Sequence, residues 1–220
     1  MKQKNILRRH FDMKNICEAN FILGMKITKT CDGIYLEQSH YIEKILKKYN
    51  YHDFKHVVTS LDSSVHLFPV NNDNDVVNQK EYANIIGSLR YAIDCAGPDI
   101  AYAVEVLSRF TSKPSGDHMQ AIERVMKYLS STKLHGLFYK KYLAILEGFS
   151  DADGNTLLGD SLSTTGYIFT LGDGVVDIRF CTHDLIKDND WNDHSYTPKI
   201  MIALYALTCS LHIIKMILRF

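Results

Sequence analysis

Apolar residues recur three or four positions apart through the middle of the chain and alternate at tighter spacing on either side, so the period of the pattern divides it. At the front, NFILGMKITK (20–29) mixes β-branched and apolar residues, Asp32-Gly33 supplies a turn, and Ile34-Tyr35-Leu36 opens a second run. Two such runs about an Asp-Gly pair predict a β-hairpin. Ser39 is placed to cap the next element, in which Tyr41, Ile42, Ile45, Leu46 and Tyr49 share one helical face and Lys44, Lys47 and Lys48 lie on the other. Residues 57–79 repeat few apolar positions and contain the polar run Asn71-Asn72-Asp73-Asn74-Asp75, so they are expected to contribute little packed structure. A helix is predicted from about Gln79 to Ile93, with Tyr82, Ile85, Ile86, Leu89 and Ile93 on one side. Gly97-Pro98 breaks it and starts the next, because proline is tolerated at a first helical position. Ile100, Val104, Leu107 and Phe110 continue the stripe. After a turn at Pro114-Ser115-Gly116, Asp117 is placed to cap a fourth helix bearing Ile122, Val125, Met126 and Leu129. Tyr82, Tyr91 and Tyr102 are read as core residues, although exposed tyrosines could stack on bases.

From Gly136 the period shortens. Leu137-Phe138-Tyr139, 143–149, 166–171 and 175–180 read as strands, with Gly172-Asp173-Gly174 a hairpin turn between the last two. The fold class predicted is α+β: a β-hairpin, then a helical bundle, then a strand meander, with a boundary near residues 132–142.

At 220 residues and 46% hydrophobic, the chain can bury a core of one or two domains. Its charge is balanced overall but uneven: residues 1–50 hold ten Lys/Arg against five Asp/Glu, and residues 141–220 hold six against ten. A basic front and an acidic back suit a surface facing nucleic acid followed by one facing metal, or two ordinary solvated faces. The five cysteines are scattered without a CxxC pair, which argues against a disulfide framework or zinc ribbon and for a reducing compartment. The basic N-terminus has no long apolar run behind it, so a secretory leader is not expected. Residues 200–218 are long enough to cross a bilayer but contain Thr208, Ser210, His212 and Lys215, and a buried or aggregation-prone tail is preferred to a membrane span. The stretch Asp188-Asn189-Asp190-Trp191-Asn192-Asp193 is similar to a calcium loop but lacks its glycine, and Lys199 stands where the bidentate glutamate belongs. His52 and His56 could share a helix face but have no nearby third ligand in sequence.

Five segments in order carry a resemblance: FDMKNICEANFILGMKI, GIYLEQSHYIEKILKKY, YANIIGSLRYAIDCAGPDIAYAVEVLSRF, HMQAIERVMKYLSSTKLHGLFY and LEGFSDADGN…STTGYIFTLG. From Phe11 to about Phe169 the chain resembles copia-type retrotransposon Pol polyproteins, from the end of reverse transcriptase into ribonuclease H. The resemblance implies an end-of-palm hairpin at 1–40, a helical thumb-like region at 41–135, partial ribonuclease H-like strands at 136–180, and a tail at 181–220 with no counterpart. It places Leu23, Gly24 and Met25 in a strand that grips the primer terminus. It makes Gly87, Arg90 and Lys127 candidate contacts to a nucleic-acid duplex. Gly87 would admit either a sugar-phosphate chain or a neighbouring helix.

The same resemblance puts Asp151 at the first metal-ligand position of ribonuclease H, as a vestigial catalytic residue, with Asp153 beside it. Both reactions of the family use Mg2+ or Mn2+ held by several carboxylates. This sequence has no Asp-Asp dipeptide, the polymerase pair being expected upstream of Met1, and no glutamate after Glu147. Gly154 and Gly97 also stand where the family usually has an aromatic residue and an arginine. The expectation is therefore a truncated, catalytically inactive fragment that binds no metal productively and retains RNA–DNA or DNA duplex binding. It would act in the cytoplasm or nucleus, off the membrane, alongside the missing polyprotein parts where these are co-expressed. The alternatives are a metal-dependent nuclease using Asp151, and a helical interaction module or unselected remnant.

Overall fold

The computed structural model describes residues 19–51, 57–62, 64–69, 77–141, 145–153 and 162–184. In chain order these give β1 (Phe21–Ile22), β2 (Met25–Lys29), β3 (Gly33–Glu37), α1 (Ser39–Lys48), α2 (Gln79–Cys95), a short 3-10 turn (Pro98–Ile100), α3 (Ala101–Ser108), α4 (Gly116–Thr132), β4 (Gly136–Lys140), β5 (Leu146–Asp153), β6 (Leu162–Leu171) and β7 (Gly174–Asp184). Among the described residues the protein is mixed α and β, with four helices and two antiparallel sheets ordered β1-β2-β3-β4 and β5-β6-β7.

The helices form because cap and stripe agree. The Asn78 side chain accepts from the Lys80 and Glu81 N–H groups at 3.1 and 3.2 Å, and Glu81 sits where the helix dipole favours an anion. Tyr82, Ile85, Ile86, Leu89 and Ala92 then turn one face of α2 inward. Helix α4 starts at Gly116, one residue before the aspartate expected to cap it. Ser115 is the cap, its hydroxyl accepting from the His118 N–H, while the His118 ring accepts from the Ser115 N–H at 2.9 Å. Serine wins because a capping box satisfies two orphan donors at once. Ser39 also fails as a cap: it is the first residue of α1, and Gln38 precedes it with no side-chain capping bond.

The helices share one core, in which Tyr82, Leu89, Ile100, Val104, Leu107, Ile122, Val125 and Met126 are fully excluded from water. Tyr82 donates to the Leu107 carbonyl at 2.8 Å, and burial raises its pKa well above that of a free phenol. Tyr91 and Tyr102, also expected in the core, are at its edge, 39% and 36% exposed.

Residues 57–62 and 64–69 form no regular element, yet the expectation of little packing is overturned. Leu61 and Leu67 pack on the helical core. Arg124 of α4 donates to Thr59 and pairs with Asp62 at 3.0 Å, and the Ser131 hydroxyl reaches the Val57 carbonyl. The segment is a strap tied down by polar side chains. Residues 71–75, His52, His56 and the tail from 185 onward lie outside the described residues.

The Asp-Gly hairpin forms as expected between β2 and β3. Strand β4 pairs with β3, Ile34 opposite Tyr139 and Glu37 opposite Gly136, so it completes the hairpin's sheet across the whole helical stretch. The β5-β6-β7 meander is a second sheet. It touches the rest through Tyr102 against Phe180 (ring centroids 5.4 Å) and through the Gly172-Asp173 turn, whose carbonyl at Gly172 accepts from the Lys140 N–H at 2.8 Å. Among the described residues no helix is long and apolar enough to cross a membrane.

Candidate nucleic-acid interface

The front of the chain was expected to place Leu23, Gly24 and Met25 inside one strand. The structure breaks that run instead. Leu23 and Gly24 form a tight turn between β1 and β2 with φ +52° and +76°, and Met25 opens β2 opposite Ile22. Positive φ at both central residues twists the turn to match its strands. Glycine reaches that region at no steric cost, whereas leucine there is strained. Strain at an exposed bulky residue is the kind of local cost that functional sites retain. Leu23 is 70% exposed, and Phe21 and Ile22 beside it are also exposed.

Helix α2 holds this turn. The Tyr91 hydroxyl donates to the Leu23 carbonyl at 2.8 Å, and the Cys95 thiol approaches the same oxygen at 3.9 Å. Tyr91 is itself braced edge-on by Tyr41 (centroids 4.8 Å, 63°). The coulombic influence of Cys95, ahead of partial burial, pushes the Tyr91 phenol up. It stays protonated at neutral pH and able to donate.

Gly87, Arg90, Tyr91 and Asp94 are spaced three or four apart and are all exposed on α2, so they share its outer face. A Cβ built at Gly87 meets nothing within 4 Å. Among the described residues no neighbouring helix packs against Gly87, and its position on the helix is open. The Arg90 guanidinium reaches Glu105 of α3 at 3.0 Å and remains more than half exposed. The structure thus brings together Leu23, Gly24 and Tyr91 by direct contact, with Gly87 and Arg90 on the same helix face.

Lys127 is elsewhere. It lies on α4, 2.6 Å from Glu123, and lines a groove of about 520 Å³ between that helix and the strap at 57–67. That groove includes none of the residues on the α2 face. Tyr91 is the residue the sequence reading missed as a positioner, and the apolar triplet at 21–23, too long for the two-residue strand it occupies, is the signal that could have found it.

Asp151 is exposed on β5, opposite Gly166 of β6, and Asp153 follows two residues on, opposite Thr164. Strand alternation places both positions on one face. Glu147, the last glutamate of the chain, is four residues upstream and so also on that face. Among the described residues no group of three or more His, Cys, Asp or Glu is arranged to hold a metal ion.

In comparisons with known proteins, no family model and no solved structure matches the chain. Curated proteins do. It is 36% identical over 182 residues to the "Retrovirus-related Pol polyprotein from transposon TNT 1-94" of Nicotiana tabacum, covering 80% of this chain and 14% of that protein. It is 36% identical over 167 residues to the "Retrovirus-related Pol polyprotein from transposon RE1" of Arabidopsis thaliana, covering 76% of this chain and 11% of that protein. It is also 42% identical over 99 residues to "Secreted RxLR effector protein 161" of Plasmopara viticola, covering 44% of this chain and 70% of that protein. The chain thus spans only about an eighth of the length of the polyproteins it matches.

Proposed function

This chain belongs to the copia-type retrotransposon Pol polyprotein family, and from that premise we propose that it holds an RNA–DNA hybrid or DNA duplex without extending or cleaving it. The observation that carries this reading is the strained, exposed Leu23-Gly24 turn fixed by Tyr91 beside Gly87 and Arg90 on one helix face. Duplex affinity comes chiefly from phosphate contacts, which need cations and accessible backbone rather than a base-reading motif. An exposed arginine, a bare stretch of helix and a protruding turn supply those elements. The apolar triplet at 21–23 would meet the sugar edge of a minor groove, where apolar side chains are tolerated.

The proposed lack of catalysis rests on donor chemistry. A pair of divalent cations over a scissile phosphate needs several carboxylates converging from separate elements. The candidates here, Glu147, Asp151 and Asp153, all come from one extended strand, which spreads them along a line at about 3.4 Å per residue. Carboxylates spread in this way are poorly disposed to hold a pair of Mg2+ or Mn2+ ions. The remaining polyprotein parts, in the cytoplasm or nucleus, are the partners this reading calls for.

Gel-shift titration of the full chain against an RNA–DNA hybrid at several salt concentrations tests the proposal. Binding that weakens linearly in log–log form as salt rises is expected. Absence of a shift at low salt would refute duplex holding.

A further inference from the structure

The outward side of α1 carries Lys44, Lys47 and Lys48, all exposed. Among the described residues none of the three pairs with a carboxylate. Lysines elsewhere in the fold do: Lys26 with Glu37, Lys127 with Glu123 and Lys140 with Asp173. Glu43, the acid of α1, serves its other flank, where Lys133 of α4 lies 3.6 Å away. The last turn of a helix favours cations, which accounts for Lys47 and Lys48. It does not account for Lys44, which precedes them by three and four positions and adds like-charge repulsion to the same helix.

Tyr41, three positions before Lys44, ties this flank of α1 to α2. Its hydroxyl donates to the Ser88 carbonyl at 3.1 Å, and its ring meets that of Tyr91. Helical spacing puts Tyr41, Lys44 and Lys48 on one ridge, which therefore runs along the seam with α2. Lys48 leans the same way: its ammonium is 2.9 Å from the Tyr49 hydroxyl, which lies 3.3 Å from the Ser88 hydroxyl. Ser88 adjoins Gly87, the open position on the α2 face.

We propose that Lys44 and Lys48 are phosphate contacts that carry the nucleic-acid interface from α2 across this seam onto α1. At about 1.5 Å of rise per residue their Cα atoms stand about 6 Å apart along the axis, so two flexible ammonium groups can follow one strand's backbone. Lysine meets a phosphate as a point charge and needs no base contact to do so. The apolar residues of α1 are spent inward, Ile42, Ile45 and Leu46 being buried. The lysine face thus has nothing to sink into a bilayer, which favours nucleic acid over a lipid surface. These contacts presuppose the duplex-holding reading and add a second helix to it.

Gel-shift titration of the full chain against an RNA–DNA hybrid at several salt concentrations tests the proposal. It compares the parent, Lys44→Gln/Lys48→Gln and, as a control away from the seam, Lys140→Gln. Glutamine is a good helix former, so the double variant should keep the parent's circular dichroism spectrum. Each lost phosphate contact lowers the log–log salt slope by about 0.9. The double variant should therefore fall by about 1.8, Lys44→Gln alone by about half of that, and Lys140→Gln not at all. A parent that binds, with the same slope in the double variant, overturns the α1 contacts and leaves duplex holding standing. An equal fall in Lys140→Gln reduces the effect to net charge and also overturns them. A parent that gives no shift at low salt refutes both readings. Sedimentation with phosphatidylserine vesicles covers the lipid alternative: vesicle binding lost in the double variant, with hybrid slopes unchanged, assigns the lysines to a membrane surface and overturns the proposal.

Discussion

Acidification from pH 8 to pH 5 should remove stability through one side chain, His118. The ring is fully buried, stacked on Phe110 at 3.9 Å between centroids and 16° between planes. Its Nδ1 accepts the Ser115 N–H, so the second nitrogen carries the proton and the ring is neutral. Burial lowers the His118 pKa, against smaller opposing effects of Asp117 and the Phe68 backbone. A free histidine titrates near 6.5, so the unfolded chain takes up the proton first. The contribution of the neutral ring is intact above about pH 6.5 and is lost as pH falls through that value towards the lower folded pKa, beneath which the slope vanishes. Protonation at Nδ1 takes the acceptor from a buried N–H, which costs about 1–3 kcal/mol. At about 2–4 °C per kcal/mol for a chain of this size, Tm should fall by roughly 2–12 °C. His118→Gln isolates the effect. Glutamine at this position can keep the reciprocal cap but does not titrate. It forfeits the ring stack, worth about 0.5–1.5 kcal/mol, so the variant should be weaker at pH 8 and lose less on acidification. Urea unfolding followed by circular dichroism at pH 8, 6.5 and 5 gives the comparison. If variant and parent lose equal stability between pH 8 and pH 5, His118 is not the group responsible.

Three further outcomes are expected. Arg90→Ala should change stability by no more than about 0.5 kcal/mol, because its ion pair is exposed. It should also lower the log–log salt slope of hybrid binding by about 0.9, and an unchanged slope would remove Arg90 from the interface. Asp151→Asn should leave the chain as inert towards an RNA–DNA hybrid in Mn2+ as the parent, whereas manganese-dependent cleavage abolished by the substitution would establish a nuclease. Limited trypsin digestion, read by mass spectrometry, should clip the β5-β7 region before the helical core, because Ile145, Leu146 and Phe149 leave the β5 edge exposed and apolar; earlier loss of the helices would contradict that order.

The helices were legible where local chemistry and periodicity agree, as at α2, where Asn78, Glu81 and the Tyr82 stripe point the same way. Nine residues at 3.6 per turn put Tyr91 two and a half turns from Tyr82, on the opposite face, as its exposure bears out. The strap at 57–69 was invisible because its anchors are not periodic; Arg124 is the residue that organises Thr59 and Asp62, and it lies on α4. The β3–β4 pairing was invisible for a related reason, since a strand's own pattern reports which face is buried but not which distant strand lies beside it. At the candidate site, residue types were readable but the strained turn was not, because Phe21-Ile22-Leu23 looks like an unbroken strand until α2 pins its end.

That pairing has a practical meaning for anyone cutting or splicing the gene. Glu37 and Gly136 sit opposite one another in the ladder, so all four helices leave and re-enter through a doorway about 5 Å wide. Seen this way the helices are a cassette inserted into a hairpin. Its two loose ends already meet, which makes the stretch between them suited to circular permutation or to transplantation into an unrelated β-ladder by a pair of short joints.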